Sequence, residues 1–158
     1  VFLDRTHTYD VAWDPENGAR IGTLTSTYTN TVGDPALLPP VVVGNESGTP
    51  PGTQIREVSV LSPSRNASLE VDGARTPSRL ARGEGLYRHS VSVEGPPGGT
   101  VELRWRLEGT LPSGPYDLTL VRPANAGTSD TTVVVRDLDR TVIDQTVEPG
   151  RTVRLSGG

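Results

Sequence analysis

The sequence predicts an all-β fold: an antiparallel β-sandwich, immunoglobulin-like in general architecture, of about nine to eleven short strands. Three observations predict it. Apolar and polar residues alternate along short runs, and Gly, Pro, Asp and Asn cluster between those runs. No segment keeps a helical period over the roughly ten residues a helix needs. The clearest run is Val101-Glu102-Leu103-Arg104-Trp105-Arg106-Leu107-Glu108, apolar at every odd position and charged at every even one. Successive strand side chains point to opposite faces, so Val101, Leu103, Trp105 and Leu107 are expected in the core and the four charges in water. One dry face and one wet face is how antiparallel sheets pack in a sandwich.

The elements follow in order. His7 to Trp13 alternates with Tyr9, Val11 and Trp13 on one side, and Asp14-Pro15-Glu16-Asn17-Gly18 turns the chain. Ala19 to Asn30 returns it, with Ile21 and Thr23, Thr25, Thr27 and Thr29 on one face and Leu24, Ser26 and Tyr28 on the other. Stiff β-branched side chains suit such a pleated surface. A long Pro/Gly-rich connection at 31–54 then breaks the rhythm around Leu37-Leu38-Pro39-Pro40-Val41-Val42-Val43, and a short strand is expected at Val41 to Val43. Strands resume at Gln54 to Leu61 and Ala67 to Val71, with an Asp72-Gly73 turn and an arginine-rich connection from Ala74 to Gly85. Leu86 to Val93, Thr100 to Glu108 and Tyr116 to Arg122 read as a meander. After a loop come Thr131 to Arg136, a tight turn at Asp137 to Arg140, Thr141 to Val147 and Arg151 to Leu155. The whole of 1–158 is expected to form a single domain.

Composition excludes several chemistries. With no cysteine there is no thiol catalysis, disulfide or thiolate metal site, and a chain of 158 residues builds a core without such staples. All fifteen cations are arginine, so there is no Schiff-base or phosphate-loop lysine and no lysine–asparagine isopeptide crosslink. A net charge of −4 argues against nucleic acid as a partner. The chain starts at Val1 and contains no methionine, which points to a piece of a longer precursor whose other parts could hold a signal peptide or membrane anchor. The longest apolar run, Leu37 to Val43, is far short of the roughly 20 residues that span a bilayer.

The candidate sites are few, and no cofactor or metal is expected. His7 and His89 fall in predicted strands, where a wall position is commoner than a zinc ligand. The acids Asp14, Glu16 (with Asn17) and Asp137, Asp139 (with Asp144) fall in or near turns, where local hydrogen bonding accounts for them and weak calcium binding is the alternative. No Gly-x-Ser-x-Gly elbow or phosphate cradle is present, and seven aromatics are few for a glycosidase cleft. No catalytic residue is therefore assigned, and the chain is not read as an enzyme. Arg75, Arg79, Arg82 and Arg88 are candidate anion-binding residues, because fourteen residues hold four guanidinium groups and one acid, Glu84. Leu37, Leu38, Val41, Val42 and Val43 form a candidate interaction loop, too apolar for an ordinary linker; folding back over an open end of the sandwich is the favoured alternative. Asn45-Glu46-Ser47 and Asn66-Ala67-Ser68 match the glycosylation sequon.

Thr25-Ser26-Thr27-Tyr28-Thr29-Asn30-Thr31 followed by Leu38-Pro39-Pro40, then Arg56 to Pro63 running into Val71-Asp72-Gly73, form an ordered set with Tyr116-Asp117-Leu118-Thr119-Leu120-Val121-Arg122-Pro123 and Thr131 to Val135. This order, over roughly residues 7–136, resembles the C-terminal extracellular portion of an actinobacterial envelope family, domain of unknown function four thousand and twelve. The resemblance implies a membrane-anchored cell-surface protein and supplies no catalytic residues. The expected function is a non-catalytic extracellular module, a spacer or protein-interaction domain whose partners are other segments of its own parent or other envelope proteins. The alternative is a binding module for cell-wall glycan or anionic polymer through Arg75 to Arg88.

Overall fold

A computed structural model describes residues 3–14, 16–40, 44, 48–110, 116–120, 131–137, 140–147 and 153–157. They form an all-β sandwich of twelve strands: β1 (Leu3–Trp13), β2 (Ala19–Asn30), β3 (Gln54–Ser62), β4 (Asn66–Val71), β5 (Ala74–Thr76), β6 (Arg79–Gly83), β7 (Leu86–Gly95), β8 (Thr100–Thr110), β9 (Tyr116–Leu120), β10 (Thr131–Asp137), β11 (Arg140–Val147) and β12 (Val153–Gly157). A large sheet runs β11-β10-β1-β2-β8-β4-β5, a smaller one runs β3-β7-β6, and β9 pairs with β12. All pairs are antiparallel except β1 with β10, which run parallel. Those two strands lie far apart in sequence, so no hairpin constrains their direction.

The β8 register is as the alternation predicts. Trp105 and Leu103 are fully buried with Val101 and Leu107, while Arg104 and Arg106 are exposed. These residues pack with Leu69 of β4 and Val93 of β7, and Val58, Val60 and Val91 of the smaller sheet close over them. At about 25 cal/mol per Å² of apolar area, this contact between sheets stabilises the fold by removing apolar surface from water. Tyr9, Val11 and Trp13 of β1 are buried on one face, again as expected.

The segment from Ala74 to Gly85 is not a connection. It contains β5 and β6, each closing a two-residue hairpin on a pair of left-handed residues: Asp72 (φ 49°) with Gly73 (φ 77°), and Glu84 (φ 52°) with Gly85 (φ 81°). Two positive φ values in succession match the twist of the flanking strands, which is why such turns favour Asp-Gly. β6 lacks alternation because both of its faces are exposed at a sheet edge. The crossover at Pro77-Ser78 moves the chain from the large sheet to the small one.

The 31–53 connection also crosses from the large sheet to the small one. Asp34 caps a short 3₁₀ turn, Pro35–Leu37, by accepting a hydrogen bond from the Ala36 N–H at 2.9 Å. Val32, just before it in the chain, is buried. The expected strand at Val41, Val42 and Val43, the sequon at 45–47 and Asp139 lie outside the described residues.

Candidate functional site

The outer face of the large sheet carries a polar surface with two depressions. On β1 and β2 the residues pointing outward include Thr8, Asp10, Thr23 and Thr25; on β8 they are Arg104 and Arg106; on β4, Ser68 and Glu70. These eight line a depression of about 530 Å³. A second depression, about 360 Å³, shares Ser68 and Arg106 with the first and adds Arg65, Asn66, Arg75 and Glu108. The charges between them are partly paired, along β8 and once across to β4. Arg106 Nε lies 2.7 Å from Glu108 Oε1, and Arg104 approaches Glu70 at 4.0 Å and Glu102 at 3.8 Å. All are exposed by about half, so each pair contributes little to stability.

The four arginines grouped by sequence separate in space. Arg75, on β5, belongs to the large sheet and lies beside Arg65 and Arg106. Arg79 and Arg88 lie on the outer face of the small sheet, where Arg88 pairs with Glu57. Arg88, and Arg79 more weakly, hold the Glu57 carboxyl below its ordinary range. Arg82 faces the other way on β6, its guanidinium 5.4 Å from the centre of the Tyr87 ring. Arg65 and Arg106 are the additional members of the arginine group. They come from the β3–β4 turn and from β8, so no local sequence signal joins them to Arg75.

The candidate interaction loop is partly described. Leu37 is 81% exposed at the end of its 3₁₀ turn and Leu38 is half-buried. Leu37 therefore does not cover an end of the sandwich, because its side chain stands in water.

The histidines sit within the walls. His7 Nδ1 lies 2.9 Å from Ser26 Oγ, and its ring meets Tyr28 edge-on. Burial, then the neighbouring Arg5, lowers the His7 pKa from its ordinary 6.5. The Tyr28 hydroxyl is pushed up by burial. His89 is buried against Trp105, and its Nε2 lies 3.3 Å from the Ser64 carbonyl. Among the described residues no group of three or more His, Asp or Glu converges as metal ligands would. Asp14 and Asn17 are turn residues: Asp14 Oδ1 accepts from the Glu16 N–H at 2.9 Å, and Asn17 Oδ1 from the Ala19 N–H at 2.8 Å.

The inner face of β2 carries polar groups that the sequence reading did not single out. Asn30, 2% exposed, uses its whole hydrogen-bonding capacity. Its Nδ2 donates to the Gly52 and Gly95 carbonyls at 2.8 and 2.9 Å; its Oδ1 accepts from the Val32 N–H at 3.1 Å and from Gln54 Nε2 at 3.2 Å. Arg20, 8% exposed, donates to the Tyr9 hydroxyl and to Ser62 Oγ. Gly22 makes room for Tyr9: a Cβ there would lie 2.8 Å from the tyrosine oxygen.

No family model matches this sequence, and no curated protein matches it. Among solved structures it is similar to an M1 zinc metallopeptidase from Deinococcus radiodurans, at 14% identity and a TM-score of 0.37. The match covers 84% of this chain and 32% of that one. A likeness of that size carries nothing about activity.

Proposed function

We propose that this chain is a non-catalytic, extracellular β-sandwich module of a bacterial cell-surface protein, acting as a structural spacer or protein-interaction domain. Its partners are other segments of its parent or other envelope proteins, and any membrane anchor lies outside these 158 residues. The observation that carries this reading is how the chemically capable side chains are used. Both indoles are buried, both histidines are packed into the walls, and the Arg–Glu pairs lie on solvated sheet faces. The exposed Leu37 gives the interaction role a contact point.

Antibody raised against the domain should stain intact cells of the organism that makes it, and external protease should remove the signal. Staining only after permeabilisation would refute the extracellular placement. Turnover of ester, peptide or glycoside substrates by the purified domain would refute the non-catalytic reading.

A second reading, a binding module for cell-wall glycan or anionic polymer, is favoured by one observation: Arg65, Arg75 and Arg106 line a single depression.

A further inference from the structure

We propose that the outer face of the large sheet binds an acidic carbohydrate chain, laid across the strands with its carboxylate or phosphate group at the β5 edge. This rests on the second reading above, but it moves the site from Arg75–Arg88 to Arg65, Arg75 and Arg106. The two depressions on this face meet at Ser68 and Arg106. Because β1, β2, β8, β4 and β5 are successive neighbours, the depressions form one trough, roughly 20 Å long at about 4.8 Å per strand.

The chemistry of the trough changes along its length. Its middle offers the Thr8, Thr23, Thr25 and Ser68 hydroxyls, which donate and accept, beside carboxylates that accept and guanidinium groups that donate. Sugar hydroxyls need that mixture. Charge there is balanced, with Asp10 and Glu70 set against Arg104 and Arg106. At the β5 end the balance is broken. Arg106 is bonded to Glu108, whereas Arg65 and Arg75 are exposed and form no ion pair with any carboxylate among the described residues. Two available guanidinium groups in a chain of net charge −4 make a local anion site, and each can grip a carboxylate or phosphate through two N–H groups. An extended peptide would need apolar pockets for alternate side chains, which this hydroxyl-lined floor does not provide. Both tryptophans are inside, so binding rests on hydrogen bonds and charge and must weaken with salt.

The test is an amide NMR titration of the 158-residue chain with oligogalacturonate, maltohexaose 1-phosphate and, as a neutral control, maltohexaose. Saturable shifts at Thr23, Thr25, Ser68, Arg75 and Arg106 are expected with at least one acidic probe, and the better of the two names the acid. Affinity should exceed that for maltohexaose by roughly tenfold, and should fall severalfold when ionic strength is raised from about 0.01 M to about 0.15 M. The Arg65→Gln/Arg75→Gln variant should keep its melting temperature and lose roughly tenfold in affinity, about 1.4 kcal/mol. Thr25→Val keeps every charge and should still weaken binding severalfold. Unchanged binding in Thr25→Val would overturn the carbohydrate assignment, and equal binding of maltohexaose would overturn the acid site. If neither acidic probe binds, the second reading falls with this proposal. If binding persists in the double arginine variant with shifts over Arg79 to Arg88, this site is wrong and the second reading stands.

Discussion

β2 and β8 are neighbours in one sheet, and their inner faces look into the same interior, yet they are built differently. β8 presents Val101, Leu103, Trp105 and Leu107, all buried. β2 presents Arg20, Gly22, Leu24, Ser26, Tyr28 and Asn30, with Leu24 opposite Trp105 and Ser26 opposite Leu103. The β8 face is held by packing. Trp105 shows this most plainly, since its indole N–H has no hydrogen-bond partner and its burial rests on packing against the apolar cluster and the His89 ring. The β2 face adds hydrogen bonds to the packing of Leu24 and Tyr28, because a buried polar group left unpaired costs more than a paired one contributes. One teaches what removing surface from water does; the other teaches what pairing buried donors and acceptors does, complete at Asn30 and partial at Arg20, whose Nε has no partner.

The contrast can be broken from either side. Trp105→Ala should have the largest effect, about 3–5 kcal/mol, by opening a cavity in close-packed surroundings. A urea denaturation curve checks it, and a loss below about 1 kcal/mol would mean that the core collapses into the space or that Trp105 is not central. Asn30→Ala should come next, at about 2–4 kcal/mol, because it strands the Gly52 and Gly95 carbonyls and the Val32 N–H together. Asn30→Asp should not rescue it, since the carboxylate cannot donate to those carbonyls.

His7 sharpens the comparison through pH. Its folded pKa lies below 6.5, so the unfolded chain takes up the proton first on acidification. The stability contributed by neutral His7 is complete above about 6.5 and is lost as pH falls through the folded value. His7→Gln should therefore flatten the acid side of the stability curve, and an unchanged slope would contradict the burial argument. The smallest effect belongs to Arg88→Gln. Glu57 is held low by Arg88, so whatever stability the pair contributes is present above the unfolded carboxylate value and lost as pH falls through the folded one. The pair is exposed, and added salt should erase the difference between variant and parent.

The same contrast explains what the sequence made legible. Strict alternation marked β8 and the buried face of β1 because apolar packing leaves a period-two trace. β5 and β6 left none, since edge strands with both faces in water have no reason to alternate. The apolar residues of β2 are sparse, and Asn30 reads as an ordinary polar residue until residues 52 and 95 fold back upon it. The arginine grouping failed for a similar reason. Nearness in sequence joined Arg75 to Arg79, Arg82 and Arg88, whereas the crossover at Pro77-Ser78 sends them to different sheets and strand pairing brings Arg75 beside Arg65 and Arg106.

The most direct test of the packed face and the bonded face as separate devices is amide hydrogen exchange on Asn30→Ala. Val32 N–H loses its acceptor, and the segments at Gly52 and Gly95 that Asn30 ties together are released locally. Val32 should then exchange at close to an unprotected rate, while the Leu103 and Trp105 amides keep the protection set by the remaining global stability. Parallel loss of protection at all three positions, or continued protection of Val32, would contradict the account.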